Sequence, residues 1–358
     1  MPQYDIAIVG LGLVGCTAAL LLAEAGLSVI AFERDKEVYK LPRAVNLDGE
    51  MIRAFQKIQR GQTVQNLMQA TRPGDGAGFA NSDRKWLFGG ESKDFGRNGW
   101  QPANMFDQPE LDSYLRDEVI NHKNVDAMIE YEVTQANNLS DSVTITYQDA
   151  NSASECTADA HFAIACDGAA SAIRKANNIH WRNLGYDHHW LVVDLEVSEG
   201  HTLGPRILQV CDPNRICTYV CTKDPYRRFE FKLHDHESQE HMLEEETVKS
   251  LIDPWTPRSS YRIRRTAVYQ FHAATADQWR IGRVFLAGDA AHQSPPFLGQ
   301  GMNAGMRDVI NLAWKLPMVL RGLVWSEALQ SNVSQRHLVT SPVGGLMIAA
   351  GVYPLGVY

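Results

Sequence analysis

The first 34 residues restrict the fold of this chain more than any other stretch. The apolar run from Asp5 to Val9 predicts a short strand, and glycines follow it at positions 10, 12 and 15 in the spacing G-x-G-x-x-G. A helix is predicted from about Cys16 to Ala25, and a second strand from Ser28 to Phe32 leads to Glu33 and Arg34. A bare glycine pattern is a weak signal, but this one lies between a strand and a helix and is typical of a β-α-β unit.

The glycines and the acid at the end of the second strand predict a dinucleotide ligand. Gly10 makes the tight turn, Gly12 lets the backbone approach a pyrophosphate, and Gly15 allows the helix to pack closely on the strand. Glu33 stands where a carboxylate can bond both hydroxyls of an adenosine ribose, and Arg34 beside it is assigned to the same site. Because an acid there disfavours a 2′-phosphate, we expect FAD or NAD rather than NADP as the tight ligand.

A second candidate site lies between Arg283 and Leu316. Its apolar run ends in Gly-Asp, which predicts a buried strand that presents the Asp289 carboxylate at its carboxyl end. An ordinary strand–loop–helix unit explains the apolar pattern but not Gly-Asp, Pro-Pro and Gly-Gln-Gly together. The helix after the loop directs unpaired N–H groups at the ligand, which suits a group that becomes negative, such as a reduced flavin ring. The residues assigned to this site are Gly288, Asp289, Pro296, Gly299, Gly301, Met302 and Asn303.

A third strand end carries an acid and a glycine. The run Phe162 to Cys166 predicts a buried strand, and Asp167 and Gly168 follow it at the start of a helix. Alone, this could be a turn with a capping Asp. As the second strand–Asp–Gly unit of the chain it is better explained as part of a ligand site.

Arg43 and Gln108 each allow two interpretations. Arg43 could be a solvated surface charge, but its place shortly after the glycine motif makes a cofactor contact equally good. Gln108 precedes Pro109 at a predicted helix start, where it could cap the helix or reach a ligand.

Composition sets the class of protein. With 358 residues the chain has length for about two domains. A net charge of −8 argues against a nucleic-acid partner, because phosphate binding needs clustered basic residues. The six cysteines form no C-x-x-C pair and the N-terminus lacks a basic region before its apolar run, so a cytoplasmic protein without a signal peptide is expected, and no metal site is predicted. The uncharged run from His337 to Tyr358 contains Pro and Gly, which disfavours a membrane span and suits burial or a homodimer contact.

Strands without intervening helices follow from Trp190 to Phe231. Alternation such as Cys217, Tyr219 and Cys221 predicts an antiparallel sheet that is inserted in the first domain. Its apolar face could cover an aromatic substrate or could simply be core.

Taken together, these motifs resemble the FAD-dependent aromatic-ring hydroxylases of the p-hydroxybenzoate hydroxylase type. Stretches such as Leu41-Pro42-Arg43-Ala44-Val45 and Arg227-Arg228-Phe229-Glu230-Phe231 are similar to the 3-(3-hydroxyphenyl)propionate hydroxylase branch. The resemblance implies an α/β fold: a Rossmann-like FAD-binding domain with an inserted antiparallel β-sheet substrate domain. The implied FAD-binding domain is discontinuous, over 1–75, 101–180 and 270–340, with a substrate domain over 76–100 and 181–269 and an apolar tail over 341–358.

The resemblance also implies roles for single residues. Asp289 would hold the ribityl chain of FAD, and Arg43 and Gln108 would contact its ribityl-phosphate part. Asp167 would act near the pyrophosphate, and Pro296 would line the space where ring, oxygen and substrate meet. The residues from 299 to 303 would face the pyrimidine edge of the flavin.

The implied reaction is hydroxylation of a phenolic substrate with O2 and transient NADPH or NADH, through a flavin hydroperoxide, in a site that excludes water. A base should deprotonate the phenol, and the candidates are Tyr219, His188 and His189. Two residues, Tyr219 and Pro296, are assigned as catalytic.

Two alternatives stay open: a flavin-binding remnant or partner subunit without turnover, and another flavin oxidoreductase of the same superfamily. The absence of a Trp-x-Trp-x-Ile-Pro segment makes a halogenase the weaker example. The chain departs from the branch after Leu316, where members usually continue into a further domain and where Pro317 is expected to kink or end the helix.

Overall fold

The computed structural model describes residues 2–70, 75–91, 96–149, 152, 154–295, 299–324, 327 and 329. Within these ranges the chain forms three sheets with helices packed around them. In chain order the strands are β1 Tyr4–Val9, β2 Val29–Glu33, β3 Asn46–Asp48, β4 Gln69–Ala70, β5 Gly76–Ala80, β6 Trp86–Glu91, β7 Ala103–Met105, β8 Val125–Ile129, β9 Tyr131–Asn138, β10 Val143–Asp149, β11 Glu155–Ala165, β12 Trp181–Val197, β13 Ile207–Val210, β14 Cys217–Cys221, β15 Tyr226–Lys232, β16 Tyr261–Ala276, β17 Arg280–Ile281, β18 Val284–Leu286 and β19 His292–Gln293. The α-helices are α1 Leu13–Glu24, α2 Gly49–Lys57, α3 Gly61–Asn66, α4 Gln108–Ile120, α5 Ala172–Ala176, α6 Gln239–Met242, α7 Glu245–Ile252 and α8 Gln300–Leu320.

The first sheet has a parallel centre in the order β18-β11-β1-β2-β8, in which each strand pairs in parallel with its neighbour. Its central strands are apolar on both faces because both faces are covered, as is usual for parallel sheets. On one face they pack with α1, α4 and α8 into one core cluster; on the other face they form a second cluster with β9 and β10. The carboxyl ends of β18, β11, β1 and β2 therefore lie side by side at one edge.

The second sheet has the order β19-β16-β12-β15-β14-β13-β5-β6 and is antiparallel except where β13 pairs in parallel with β5. Alternate side chains of β12, β14 and β15 point to one face and pack against Val248 and Ile252 of α7. The third sheet is the short set β3-β7-β4. The predicted α/β class, with a Rossmann-like parallel sheet and a second antiparallel sheet, is confirmed.

Several element boundaries differ from those predicted. Helix α1 begins at Leu13 rather than Cys16. Pro317 does not end α8, which continues to Leu320, since a proline removes only one backbone donor and the three residues after it keep the helical path. The predicted tail over 341–358 lies outside the described residues.

Candidate functional site

The turn between β1 and α1 is shaped by close backbone contacts. Gly10 has a left-handed φ of +91°, and a Cβ on it would lie 2.7 Å from the carbonyl oxygen of Cys166. A Cβ on Gly15 would lie 1.8 Å from the Gly10 carbonyl oxygen, so no larger residue fits. At Gly12, which precedes the first turn of α1, a Cβ would meet no atom within 4 Å. The backbone at Gly12 is therefore open to an approaching group at the N-terminus of a helix.

Glu33 braces this turn at the end of β2. Its Oε2 accepts a hydrogen bond from the Leu11 N–H at 2.8 Å, and its Oε1 accepts one from the Asp35 N–H at 2.9 Å. The Arg116 guanidinium lies 3.7 Å from the same carboxylate, and Glu33 is 9 % exposed. Arg34 is directed outwards, with two thirds of its side chain exposed and Asp35 as its ion-pair partner. Glu33 thus belongs to the candidate site, whereas the side chain of Arg34 lies away from it.

Gly288 and Asp289 follow β18, and their loop rests on α1 and α8. A Cβ on Gly288 would lie 3.2 Å from a Val14 methyl group, and the Gly288 N–H donates to Asp308 Oδ2 at 3.0 Å. His292 Nε2 lies 2.7 Å from the same Asp308 oxygen, and both side chains are buried. The buried pair between β19 and α8 holds the loop in place.

The Asp289 carboxyl lies just after the end of β18. Its residue surface is exposed, yet protein surrounds it at longer range, as is the case for a side chain at the bottom of a recess. The surrounding protein determines how readily this carboxyl ionises, because a carboxylate loses hydration energy even to protein atoms that are not in direct contact with it. Burial therefore raises the pKa of Asp289, and the charges of His292 and Arg43 oppose the rise. No hydrogen bond within the described part of the chain involves its carboxyl oxygens.

Asp167 follows β11 and lies beside the glycine turn. The Asp167 Cα would be 3.2 Å from a Cβ on Gly10, and Asp167 Oδ2 accepts a hydrogen bond from the Ile173 N–H at 3.1 Å. Its Oδ1 is buried and has no partner among the described residues. Burial raises the pKa of Asp167. Gly168 next to it has open space on its Cβ side.

The Gln108 side chain contacts the backbone of Arg43. Gln108 Oε1 accepts hydrogen bonds from the N–H groups of Arg43 and Ala44, both at 2.8 Å, and its Nε2 donates to Asp112 at 3.0 Å. Gln108 therefore holds the loop at 43–44 on the start of α4. The Arg43 guanidinium lies 4.4 Å from the Tyr39 ring centre.

Sequence reasoning missed Asp112. The residue is 7 % exposed, and its Oδ1 has no partner among the described residues. Burial raises the pKa of Asp112 to about 6, while the Gln108 hydrogen bond and the charges of Arg116 and Arg43 oppose the rise. The signal was the spacing of four from Gln108, which places both side chains on one face of α4.

The N-terminus of α8 closes this side of the site. Gly299 precedes the helix in a left-handed conformation, and Gly301, Met302 and Asn303 form its first turn, whose N–H groups have no partner inside the helix. The Asn303 amide is fully buried and links α8 to β3, because it accepts from the Asp48 N–H at 3.0 Å and donates to the Asn46 carbonyl at 3.1 Å. Pro296, predicted to line the reacting space, lies outside the described residues.

The three candidate bases lie on β14 and β12 of the second sheet, not at the ends of the parallel strands. Tyr219 is 1 % exposed in the core of the second sheet, and its hydroxyl donates to the Gly204 carbonyl at 2.7 Å. Burial raises its pKa well above the usual value, so the phenol does not ionise readily and the assignment of Tyr219 as catalytic is not supported. The His188 ring packs against the Tyr186 ring in a T-shaped contact, and burial lowers the pKa of His188. His189 is half-buried on the same strand, with its carbonyl bonded to Leu233.

Four neighbouring parallel strands thus bring the cofactor candidates to one edge. Asp289 follows β18, Asp167 follows β11, the glycine turn follows β1 and Glu33 ends β2. Two unpartnered buried oxygens, on Asp112 and Asp167, and the open backbone at Gly12 are what a ligand with hydroxyl and phosphate groups would satisfy. The residues present fit FAD.

No helix within the described residues is long and apolar enough to cross a membrane. Residues 3–343 of the chain match the family model of the "FAD binding domain".

The curated relatives with more than 30% identity include two hydroxylases. A protein named "Probable NADH-specific resorcinol 4-hydroxylase" from Rhodococcus jostii (strain RHA1) is 34% identical over 321 residues, which are 89% of this chain and 59% of the relative. The 3-(3-hydroxy-phenyl)propionate/3-hydroxycinnamic acid hydroxylase of Escherichia coli O139:H28 is 31% identical over 350 residues, which are 98% of this chain and 62% of the relative. The chain therefore spans about three fifths of the length of these relatives.

Solved structures share the fold at lower identity. The p-nitrophenol 4-monooxygenase PnpA from Pseudomonas putida DLL-E4 superposes with a TM-score of 0.83 at 19% identity, over 96% of this chain and 88% of that one. Aklavinone-11 hydroxylase, solved with FAD and aklavinone, superposes with a TM-score of 0.82 at 23% identity, over 98% and 69% of the two chains.

Proposed function

The chain belongs to the FAD-binding domain family, and from that membership we propose that it is a single-component monooxygenase that hydroxylates a phenolic ring with FAD, O2 and NADH or NADPH. The observation that carries the proposal is the meeting of Glu33, Asp167 and Asp289 at the ends of adjacent parallel strands. The names of two relatives support a phenolic substrate, and one of those names makes NADH the first donor to test.

The residues of the site are assigned by position. Gly10, Gly12 and Gly15 would admit the pyrophosphate to the N-terminus of α1, where unpaired N–H groups and the helix dipole favour a negative group. Glu33 would hold the adenosine ribose at the end of β2. Asp289, whose carboxyl lacks a hydrogen bond within the described chain, would accept from the ribityl hydroxyls.

The other side of the site is assigned in the same way. Asp167 would bind near the pyrophosphate through its free Oδ1, and Gln108 would fix the loop that carries Arg43. The first turn of α8 would direct its N–H groups at the flavin ring, which becomes negative on reduction. Bound FAD would supply hydride acceptance and oxygen activation. This chain would hold it, exclude water and position the phenol.

We also propose the arrangement into a discontinuous FAD-binding domain over 1–75, 101–180 and 270–340 and a substrate domain over 76–100 and 181–269. The sheet memberships support it, because β5, β6 and β12–β15 all belong to the second sheet. The six cysteines form no disulfide bonds with one another, which supports a reducing, cytoplasmic setting. A homodimer is a further proposal that size-exclusion chromatography with light scattering would test.

The test is substrate-stimulated turnover by the purified protein. We expect yellow protein with FAD bound, NADH oxidation that rises when resorcinol or 3-(3-hydroxyphenyl)propionate is added, and a product heavier by one oxygen atom. Flavin that no donor reduces would instead favour a binding protein without turnover. Reduction without an oxygenated product would favour another flavin oxidoreductase.

A further inference from the structure

The second sheet has a polar face opposite α7. Along β15, Phe229 and Phe231 point into the core cluster with α7, so Arg228 and Glu230 point to the other face. Arg228 donates to the Asp194 carboxylate at 2.7 Å on the neighbouring strand. Glu230 lies directly across from Val192 of β12 and Thr218 of β14.

One end of this polar face contacts the cofactor site through the loop at 42–43. Arg228 donates to the Arg43 carbonyl at 2.5 Å and to the Pro42 carbonyl at 2.7 Å. The charge of Arg43 in turn lowers the pKa of Asp289, so that loop lies near the carboxylate assigned to FAD.

The other end contacts the cofactor site through β19. Thr275 of β16 pairs with His292, which follows Asp289 by three residues. Glu230 pairs with Val192, and Val192 pairs with Ala267 of β16, eight residues before that contact. Glu230 therefore lies in one row of the sheet with Val192 and Ala267, two residues from Arg228, which contacts the loop at 42–43.

The Glu230 carboxyl is buried and unengaged. Glu230 is 5 % exposed, and no hydrogen bond within the described part of the chain involves its carboxyl group. Burial raises its pKa to about 7; the charge of Arg228 opposes the rise and that of Asp194 adds to it. The titratable groups whose charges interact with it are Arg228, Asp194, Tyr186 and Cys217. Buried polar groups are normally hydrogen-bonded, and the hydroxyl of a ligand could donate the hydrogen bond that this carboxylate lacks.

We propose that Glu230 receives the hydroxyl of the phenolic substrate and accepts its proton, an inference that rests on the proposed function. The phenol O–H bond breaks, its electron pair stays on oxygen, and the proton forms an O–H bond with the carboxyl. The electron-rich ring is then a better nucleophile. After the ring carbon has gained oxygen, its C–H bond breaks and that proton leaves to solvent, the electron pair restores aromaticity, and the carboxyl returns its proton to the phenol oxygen. A carboxyl that titrates near neutral pH suits this exchange.

Kinetics test the catalytic part. In the unmodified enzyme we expect the rate of resorcinol hydroxylation to fall below a pH of about 7. Glu230→Gln should lower the rate by about 100-fold and abolish this dependence on pH. Glu230→Asp should keep that loss of rate with a smaller decrease in turnover. Glu196→Gln removes a carboxylate of the same sheet that pairs with exposed Arg262 and should change neither. An unchanged pH profile and product yield per NADH in Glu230→Gln would overturn the proposal.

Binding separates this inference from the proposed function. Calorimetry should give an affinity for resorcinol that falls below pH 7 in the unmodified protein, and an affinity about 10-fold weaker and independent of pH in Glu230→Gln. If no phenol stimulates NADH oxidation, the proposed function fails, but this measurement still decides on Glu230. Equal affinities with equal pH dependence in the two proteins would exclude Glu230 from the phenol site.

Discussion

At the level of single residues, the candidate site holds several carboxyl groups that have lost hydration without gaining a full set of partners. Burial raises the pKa of Asp112, Asp167 and Asp289. A ligand with hydroxyl groups would replace the lost water and stabilise the charged forms. FAD binding should therefore be strongest where these carboxyls are ionised.

Substitution of Asp289 by Ala tests the ribityl assignment. Deletion of a carboxylate that accepts hydrogen bonds from the cofactor should weaken FAD binding by about 10- to 100-fold, because a hydrogen bond to a charged group contributes about 1.5–3 kcal/mol. Titration of apoprotein with FAD, followed by flavin fluorescence, measures the change. The control is Asp277→Ala, which removes an exposed carboxylate paired with His180. Equal FAD affinity in the two variants would contradict the assignment.

Glu230 should also leave a signature in the pH dependence of stability. Its pKa rises from 4.5 to about 7 on folding, so the folded state binds more protons in that range and stability falls as pH rises from 4.5 through 7. Glu230→Gln removes this dependence, and the difference in unfolding free energy between wild type and variant should change by up to about 3 kcal/mol. Urea unfolding at several pH values measures it.

Glu237 supplies a control of opposite sign. The Arg215 hydrogen bond lowers its pKa to about 2, so its contribution is present above pH 4.5 and is lost as pH falls toward 2. Glu237→Gln should accordingly lose stability most at neutral pH. The same slope for both variants would show that the stability differences do not come from these carboxyls.

At the level of elements, the N-terminus of α8 is held against β3 by one side chain. The Asn303 amide accepts from the Asp48 N–H and donates to the carbonyls of Asn46 and Gly299, at 2.9 to 3.1 Å. These three bonds fix the first turn of α8, whose free N–H groups are assigned to the flavin. The helix end and the strand therefore act as one unit in positioning a ligand.

Asn303→Ala should weaken both stability and cofactor binding. Loss of these bonds at a fully buried position should cost about 1–3 kcal/mol, since the backbone groups of β3 are left without partners. Urea unfolding gives the stability and FAD titration gives the affinity. The matched variant Asn137→Ala removes an exposed amide on β9 and should change neither by more than about 0.5 kcal/mol. Full FAD affinity in Asn303→Ala would show that the first turn of α8 does not need this anchor.

The elements with local signals could be predicted from sequence, and those that depend on distant pairing could not. The strand–helix–strand unit at the start of the chain was predicted from its local pattern, and β1, α1 and β2 lie within a few residues of the predicted bounds. The role of Glu230 could not be predicted from sequence, since it depends on the register of β15 with β14 and β12, and of β12 with β16. Tyr219 was assigned to catalysis because alternation gives a face but does not say whether that face meets a ligand or a helix.

At the level of the whole molecule, a buried charge cluster joins the second sheet to the loop before β3. Asp194, Arg228 and Arg265 are each less than a tenth exposed, and both arginines donate to the Pro42 carbonyl. The neighbouring Arg43 carbonyl is a further acceptor of Arg228. The loop that carries a candidate FAD contact is thereby fixed to the sheet proposed to cover the substrate.

Arg228→Met should weaken the link between the second sheet and the loop at 42–43. Within the described residues, the variant leaves the buried Asp194 with the longer contact to Arg265, 3.4 Å. It also removes the two hydrogen bonds that Arg228 donates to the loop at 42–43, while Arg265 still donates to the Pro42 carbonyl. Breaking a buried pair by removal of one partner costs about 3–5 kcal/mol, whereas Arg262→Met on the same sheet removes a solvent-exposed pair and should cost about 0–1 kcal/mol.

Two probes in one unfolding experiment decide this prediction. Tryptophan fluorescence reports unfolding of the protein as a whole, because tryptophans pack on both sheets, and flavin fluorescence reports cofactor release. In the unmodified protein the two transitions should coincide, because the buried cluster couples the sheets. In Arg228→Met the flavin should be released at a lower urea concentration than that at which the tryptophan signal changes, since the loop at 42–43 has lost two of its hydrogen bonds to the second sheet. Coincident transitions in both arginine variants, with equal midpoints, would mean that the cluster contributes packing but does not couple the cofactor site to the substrate-covering sheet.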